Sequence, residues 1–209
     1  MTSHVFAVGT GGASAMVYRA TKRLIDVAIS LLLLPPLAGV ALVALALNPL
    51  FNRGSLFFVQ ERMGLNGQGF RVYKFRTMGP ATTIARGPFD AIDSDRITPL
   101  GRILRESRLD ELPQIVNVLK GEMTLVGPRP DNIEHARVYA EKVPGYRERH
   151  AVRPGISGYA QTEIGYVDSL DGVQAKVEAD LHYLRHASLR FDLWIVWRTI
   201  GIMLGRKGS

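Results

Sequence analysis

Cysteine is absent from the 209-residue chain, which rules out disulfides, thiolate chemistry and cysteine-based zinc sites. The five histidines show no HExxH or comparable ligand spacing, so no structural metal is expected. There is no repeat and no low-complexity block, and the start lacks the basic n-region of a cleaved signal peptide. Negative charge is the scarcer sign: 19 acidic residues face 26 lysines and arginines, for a net charge of +7. The partner of such a chain is anionic, whether nucleic acid, a phosphorylated substrate or a lipid surface. No helix-turn-helix, RNP or zinc pattern accompanies the charge, so nucleic acid is not expected. The length suffices for one domain with a core and an accessory segment.

What the chain does have is one long apolar run. Residues 1–18, the first 16 of them rich in Gly, Ser, Ala and Thr, read as a flexible tail. Residues 19–52 read as a membrane segment. Arg19, Lys22 and Arg23 precede residues 27–47, an uncharged stretch of about 20 residues, long enough to cross ~30 Å of hydrocarbon. Pro35-Pro36 interrupts it, since proline lacks a backbone donor and disfavours α geometry in the residue before it. The limbs, 27–34 and 37–47, would each reach only roughly 12–17 Å at 1.5 Å per residue. Two membrane readings follow: a kinked spanning helix, or a helix-break-helix hairpin that returns to the side it came from. Cations at both ends, with Arg53 after the run, suit the re-entrant form. A helix buried in a soluble core is the third reading, weakened by the lack of any polar stripe. Asp26, at the membrane edge, is expected to pair with an arginine or to be solvated.

The remainder, residues 53–209, reads as one catalytic domain. Two β-prone stretches, 56–60 and 70–75, flank the turn signal Asn66-Gly67 and predict a hairpin. It ends in Tyr73-Lys74-Phe75-Arg76, where Lys74 and Arg76 share one face of the strand as a solvated edge or a phosphate clamp. Residues 79–95 read as loop. Thr98-Pro99 predicts a capped helix to about residue 105, and Lys120-Gly121 a helix end. A short strand at 123–126 feeds Gly127-Pro128-Arg129-Pro130, which is rigid enough to hold a guanidinium for phosphate. Asp131-x-x-Glu134 reads as a capping box for a helix to about residue 142. Arg147, Arg149 and His150 follow, and then a second rigid loop, Arg153-Pro154-Gly155-Ile156-Ser157-Gly158. Helices are predicted over 173–186, carrying Asp180, His182 and Tyr183, and over 192–204. Trp194 and Trp197 on the last helix suit a membrane interface or core packing.

The focus is Glu106-Ser107-Arg108-Leu109-Asp110-Glu111-Leu112-Pro113-Gln114. Pro113 fits best in a first helical turn, which places Asp110 near a helix N-terminus, where negative charge is favoured. Asp110 then reads as a nucleophile toward phosphorus. The competing reading makes Ser107-x-x-Asp110 a capping box, but that puts Pro113 inside a helix at a cost of about 3 kcal/mol.

Several motifs in order resemble one family. Gln60-Glu61-Arg62-Met63-Gly64, Lys74-Phe75-Arg76-Thr77-Met78, Leu109-Asp110-Glu111-Leu112-Pro113-Gln114, Val126-Gly127-Pro128-Arg129-Pro130 and the loop from Arg153 to Gly158 are similar to the bacterial sugar transferases, the monotopic phosphoglycosyl transferases. Asp180-Leu181-His182-Tyr183-Leu184 and Phe191-Asp192-Leu193 continue the likeness. The resemblance implies an α+β, mostly helical fold. It comprises a small cytoplasmic catalytic domain with a short β hairpin, a Pro-broken re-entrant membrane helix and interfacial amphipathic helices. It implies transfer of sugar-1-phosphate from a nucleotide diphosphate sugar, a UDP-sugar, to polyprenyl (undecaprenyl) phosphate, with Mg²⁺ as cofactor. Asp110 would attack the β-phosphorus and form a covalent phosphosugar. Glu111 would assist the metal or the acceptor's deprotonation. Asp110, with Glu111 as a second ligand, would hold Mg²⁺, while Lys74, Arg76, Arg129 and Arg153 clamp phosphates. Asp180, Tyr183 and Asp192 would complete or brace the site. The implied place is the cytoplasmic face of the bacterial inner membrane, with membrane lipid as a partner and a homodimer open to it.

Two departures limit the likeness. Leu34-Pro35-Pro36 stands where relatives carry Ser-Pro, and Thr162-Glu163-Ile164-Gly165-Tyr166 stands where many have an Asn-Gly-Arg-like stretch, so no particular sugar is implied. The chain also reads as a minimal version, without the N-terminal multi-helix extension of some members. The rival reading is a non-catalytic membrane scaffold, its carboxylates capping a helix and its arginines touching headgroups.

Overall fold

The computed structural model describes residues 12–52, 54–80, 87, 89–90, 93–165 and 167–205. The expectations for residues 1–11, Arg53 and much of the 79–95 loop lie outside them.

The apolar run folds as two helices that meet at one residue. Helix α1 (Ala13–Leu32) is followed, after Leu33, by α2 (Leu34–Phe51). Leu33 keeps a helical backbone (φ −85°, ψ −6°), so no loop separates the two. Pro35 and Pro36 lie in the first turn of α2, where a missing N–H leaves no broken bond. The break therefore falls just before the prolines, and α2 includes them. Helix α1 also begins earlier than expected: residues 13–18 are helical, so the flexible tail predicted to residue 18 is corrected there.

The two helices face different surroundings. Helix α2 is apolar all round and among the described residues is the one helix long and apolar enough to cross a membrane, with little of it buried. Helix α1 carries polar feet. Lys22 and Tyr18 each donate to Asp192 Oδ2 at 3.0 Å, and Arg23 donates to the carbonyls of Val118 and Leu119 at 2.7 and 3.1 Å. Asp26 is buried and accepts from Thr124 Oγ1 at 2.6 Å and from the Leu125 N–H at 3.1 Å. That corrects the expected arginine partner or solvation: a strand end supplies the donors instead. The far end of α2 returns to the same body, where Asn52 Nδ2 donates to the Arg76 carbonyl at 2.6 Å and Arg76 donates back to the Asn52 carbonyl.

The hairpin pairs β1 (Phe57–Met63) with β2 (Gly69–Phe75) antiparallel, Phe57 opposite Phe75. Asn66 (φ 54°) and Gly67 (φ 75°) make the turn in the left-handed backbone region that asparagine and glycine tolerate. Helix α3 (Pro99–Glu106) is capped by Thr98, whose hydroxyl accepts from the Gly101 N–H. Its Leu100 and Leu104 pack with Phe75 and with Ala44 of α2. Helix α4 (Gln114–Lys120) ends at Gly121 with φ 81°. Strand β3 (Thr124–Val126) then pairs in parallel with β4 (Gly155–Ser157), the strand formed inside the second rigid loop. A Cβ at Gly155 would stand 2.1 Å from the Gly127 nitrogen, so the two loops can cross only as glycines.

Helix α5 (Ile133–Lys142) is capped by Asn132, whose side chain accepts from the Glu134 N–H at 2.8 Å. Asp131 is thus not the cap its spacing suggested, because the neighbouring asparagine reaches that donor. After the short α6 (Tyr159–Glu163), α7 (Leu170–His186) packs Val173 and Val177 on Ala136, Tyr139 and Tyr146. Helix α8 (Leu189–Leu204) buries Ile195 against Val126, Tyr183 and Leu184, and leaves Leu193 and Trp197 at 70% and 74% exposure. Of the paired tryptophans, then, Trp197 is not core.

Candidate active site

The acidic pair is formed by a sharp reversal after α3. Arg108 takes a left-handed backbone (φ 57°), uncommon for a non-glycine residue, and a single 3-10 turn, Leu109–Glu111, follows. Pro113 caps α4 from outside, so the acidic pair immediately precedes that helix. The Ser107 hydroxyl donates backwards to the Ile103 carbonyl at 2.7 Å. It does not meet Asp110, and the capping-box alternative is not formed.

The two adjacent carboxylates are buried and have opposite environments. Glu111 accepts from Lys74 Nζ at 2.7 Å and from Arg129 Nη1 at 3.1 Å, and Arg129 Nη2 closes a second bond to it. Burial alone would raise its carboxyl, but Arg129 and Lys74 hold it well below the usual carboxylate range. Asp110 is 9% exposed, and its buried Oδ1 has no hydrogen-bond partner among the described residues. Burial, then the charge of Glu111, pushes its carboxyl up, against Lys74, Arg129 and Arg105. Burial also lowers the Lys74 ammonium to about 8, helped by Arg129 and opposed by Glu111. One carboxylate is locked as an anion by two cations. Its neighbour keeps an acceptor oxygen that nothing among the described residues uses.

Of the residues singled out from the sequence, Asp110, Glu111, Lys74 and Arg129 come together here. Arg76 does not: it lies one residue past β2 and is bound to the end of α2. Arg153 is also elsewhere, donating from its Nε to the Gly121 carbonyl at 2.7 Å. Asp180 pairs with Arg149, while Tyr183 donates to Asp192 at 2.8 Å and to the Val126 carbonyl at 3.3 Å. The bonds these four make are to groups other than Asp110 and Glu111. Arg105, in the last turn of α3, acts on Asp110 electrostatically and is held by a bond from its Nε to Thr77 Oγ1 at 2.9 Å. Arg62 is buried in the same field, and burial, then Arg129, lowers it to about 10. Arg149 is the residue sequence reading missed. It sits in the cation-rich run Arg147-Glu148-Arg149-His150, where nothing distinguishes a buried arginine from solvated neighbours.

Among the described residues no cluster of three or more histidine or acidic side chains could hold a metal by itself. Magnesium does not need one, because it keeps waters and is commonly bound by one or two carboxylates together with substrate phosphates. The orphaned Oδ1 of Asp110 fits that use. Glu111 fits it less well, since Arg129 takes both of its oxygens and Lys74 one of them.

A helix long and apolar enough to cross a membrane is thus fixed to a body that gathers cations around a buried acidic pair. The chain belongs to the bacterial sugar transferase family, which it matches over residues 17–206. It is 37% identical over 193 residues to a UDP-N-acetylgalactosamine-undecaprenyl-phosphate N-acetylgalactosaminephosphotransferase of Aeromonas hydrophila, covering 92% of this chain and 46% of that protein. Against a UDP-glucose:undecaprenyl-phosphate glucose-1-phosphate transferase of Escherichia coli it is 37% identical, covering 90% of this chain and 40% of that one. A Caulobacter vibrioides protein of the same description is 39% identical, with 88% and 69% covered. The chain thus spans less than half the length of the first two relatives.

Proposed function

We propose that this protein transfers sugar-1-phosphate from a UDP-sugar to undecaprenyl phosphate through a phosphosugar carried on Asp110. The observation that carries the reading is the asymmetry of the acidic pair: an Asp110 oxygen without a partner among the described residues beside a Glu111 neutralised by Lys74 and Arg129. The named activities of the relatives supply the substrate classes.

In the first half-reaction an Asp110 oxygen attacks the β-phosphorus. A P–O bond forms to the carboxylate, the bond from that phosphorus to the bridging oxygen breaks, and nucleoside monophosphate leaves with the electron pair. In the second, a phosphate oxygen of the polyprenyl acceptor attacks the same phosphorus and releases Asp110 as carboxylate. Lys74, Arg129 and Arg105 offset the negative charge that gathers in both steps. Held by Asp110 and the diphosphate, Mg²⁺ would polarise the phosphoryl oxygens and screen the incoming carboxylate. Glu111, its carboxyl held well below the usual range by Arg129 and Lys74 against burial, keeps those two cations in place and is a poor base for the acceptor. The Asp110 carboxyl, raised by burial and by Glu111, becomes a competent nucleophile when the bound cations favour its anion.

The same reading places the enzyme on the cytoplasmic face of the bacterial inner membrane, with α1 and α2 re-entering one leaflet. In support, both arms of the pair (Lys22 and Arg23 within α1, Asn52 just past α2) bind one and the same globular body. Cysteines introduced at Ser14 and Gln68 should be labelled from one side; labelling from opposite sides would make the pair a span. The activity test uses the full chain in membranes with labelled UDP-glucose or UDP-N-acetylgalactosamine, Mg²⁺ and undecaprenyl phosphate. Release of UMP that Asp110→Asn abolishes is the expected result. No UMP from any UDP-sugar would favour a membrane scaffold without catalysis.

A further inference from the structure

The main chain from which Arg129 reaches Glu111 is itself held by a second buried ionic cluster. Arg149, 1% exposed, donates through Nε to Asp180 Oδ2 at 2.8 Å, through Nη1 to Asp131, and through Nη2 to the Arg129 carbonyl at 2.8 Å. Asp131 also accepts from Lys176 Nζ at 2.6 Å and from the Tyr146 hydroxyl at 2.8 Å. From the hairpin side, Arg62 Nη1 donates to the Pro130 carbonyl at 2.7 Å and the Met63 N–H to the Asp131 carbonyl at 3.0 Å. Three successive carbonyls, those of Arg129, Pro130 and Asp131, are thus fixed by donors from two sides. Burying this much charge stabilises a fold little or not at all compared with well-packed apolar side chains. Specific geometry is what a buried guanidinium can add, since its planar fork serves several acceptors at set angles and a lysine cannot.

We propose that Arg149, oriented by Asp180, is a positioning residue for the transfer reaction, setting the backbone from which Arg129 grips Glu111. Arg149 touches neither carboxylate of the pair and acts only through Arg129. The inference rests on the reading of Asp110 and Glu111 given above, and it assigns to Asp180 an indirect role in place of ligand contact.

Steady-state kinetics of the full chain in lipid nanodiscs test it, with Arg149→Lys and Asp180→Asn made alone and in an Arg129→Lys background. Displacing a catalytic group by about 1 Å can cost on the order of 100-fold in rate. Arg149→Lys should therefore lower kcat by about that factor, with a smaller change in KM for the UDP-sugar. Asp180→Asn should move kcat in the same direction by less. In the Arg129→Lys background either change should cost little more, because the group being positioned is already altered. If Arg149→Lys does not fold, Asp180→Asn carries the same comparison. Wild-type kcat in a folded variant, whatever its melting temperature, overturns the proposal, as do equal losses in both backgrounds. An inactive Asp110→Asn beside fully active Arg149→Lys and Asp180→Asn removes this proposal alone. An active Asp110→Asn removes the reading of the acidic pair on which it rests.

Discussion

The protein contains two buried clusters of carboxylates and cations, joined through the Arg129 residue. In one, Asp131 and Asp180 share Arg149, Lys176 and Tyr146, and each carboxylate has a charged partner within 2.8 Å. In the other, Glu111 takes Lys74 and Arg129, while Asp110 keeps an oxygen with no partner among the described residues. Composition alone does not separate them, since both combine adjacent loops rich in aspartate, glutamate and arginine. What separates them is pairing: Asp180 also has one oxygen, Oδ1, without a partner among the described residues, but its Oδ2 is bound by Arg149, whereas Asp110 has no ion pair among the described residues. A paired buried carboxylate holds the chain in place, whereas an unpaired one is costly to the fold and available to a substrate.

The largest effect should come from removing the available oxygen. Asp110→Asn should lower turnover by about 10⁴-fold or more, as loss of a covalent nucleophile does, measured as UMP release. Its stability should move the other way. Because the Asp110 carboxyl is held above its ordinary range, ionising it in the fold costs stability once pH rises through that raised value. Asparagine removes the cost, so the variant should melt higher than wild type at neutral pH.

The paired carboxylates should behave oppositely. Glu111 and Asp131 are both held well below the usual range: burial opposes this, but Arg129 and Lys74 around Glu111, and Lys176 and Arg149 around Asp131, prevail. Their stabilisation is present above the ordinary carboxylate pKa and is lost as pH falls toward the depressed values. Glu111→Gln or Asp131→Asn should each destabilise by roughly 3–5 kcal/mol, the usual result of breaking one side of a buried pair, as read by thermal unfolding near neutral pH. Equal and like-signed shifts for Asp110→Asn and Glu111→Gln would erase the distinction between the two.

A smaller effect is expected in the pH profile. Activity should fall on the acidic side as the raised Asp110 carboxyl protonates, and on the basic side near pH 8 as Lys74 loses its proton. Lys74→Arg should move the basic limb upward and leave the acidic one in place. Smallest of all, Ser107→Ala should change stability by about 1 kcal/mol or less, because the hydroxyl only returns to its own helix and does not cap Asp110. A large loss would revive the capping reading.

Local signals in the sequence were informative where one residue type has one geometric use. Asn66-Gly67, Thr98-Pro99 and Gly121 marked a turn, a helix start and a helix end where the structure has them. The apolar run and its break were legible because two prolines cannot donate, although the break itself falls at Leu33. In the site, Lys74, Asp110, Glu111 and Arg129 stood in recognisable motifs. Asp131 was misread because a carboxylate two residues before a helix looks like a cap when its distant partners, Arg149 and Lys176, are unseen. Strand parity and loop rigidity say where the backbone of Arg76 and Arg153 points but not that each guanidinium binds a backbone carbonyl, of Asn52 and of Gly121, away from the acidic pair.

The proposed transfer depends on an Asp110 oxygen, without a partner among the described residues, forming a bond to phosphorus. Incubating the protein with UDP-sugar and Mg²⁺, without acceptor, then digesting and measuring peptide masses should reveal a phosphosugar on the peptide holding Asp110 and on none in Asp110→Asn. Turnover with no adduct on any peptide would contradict the account.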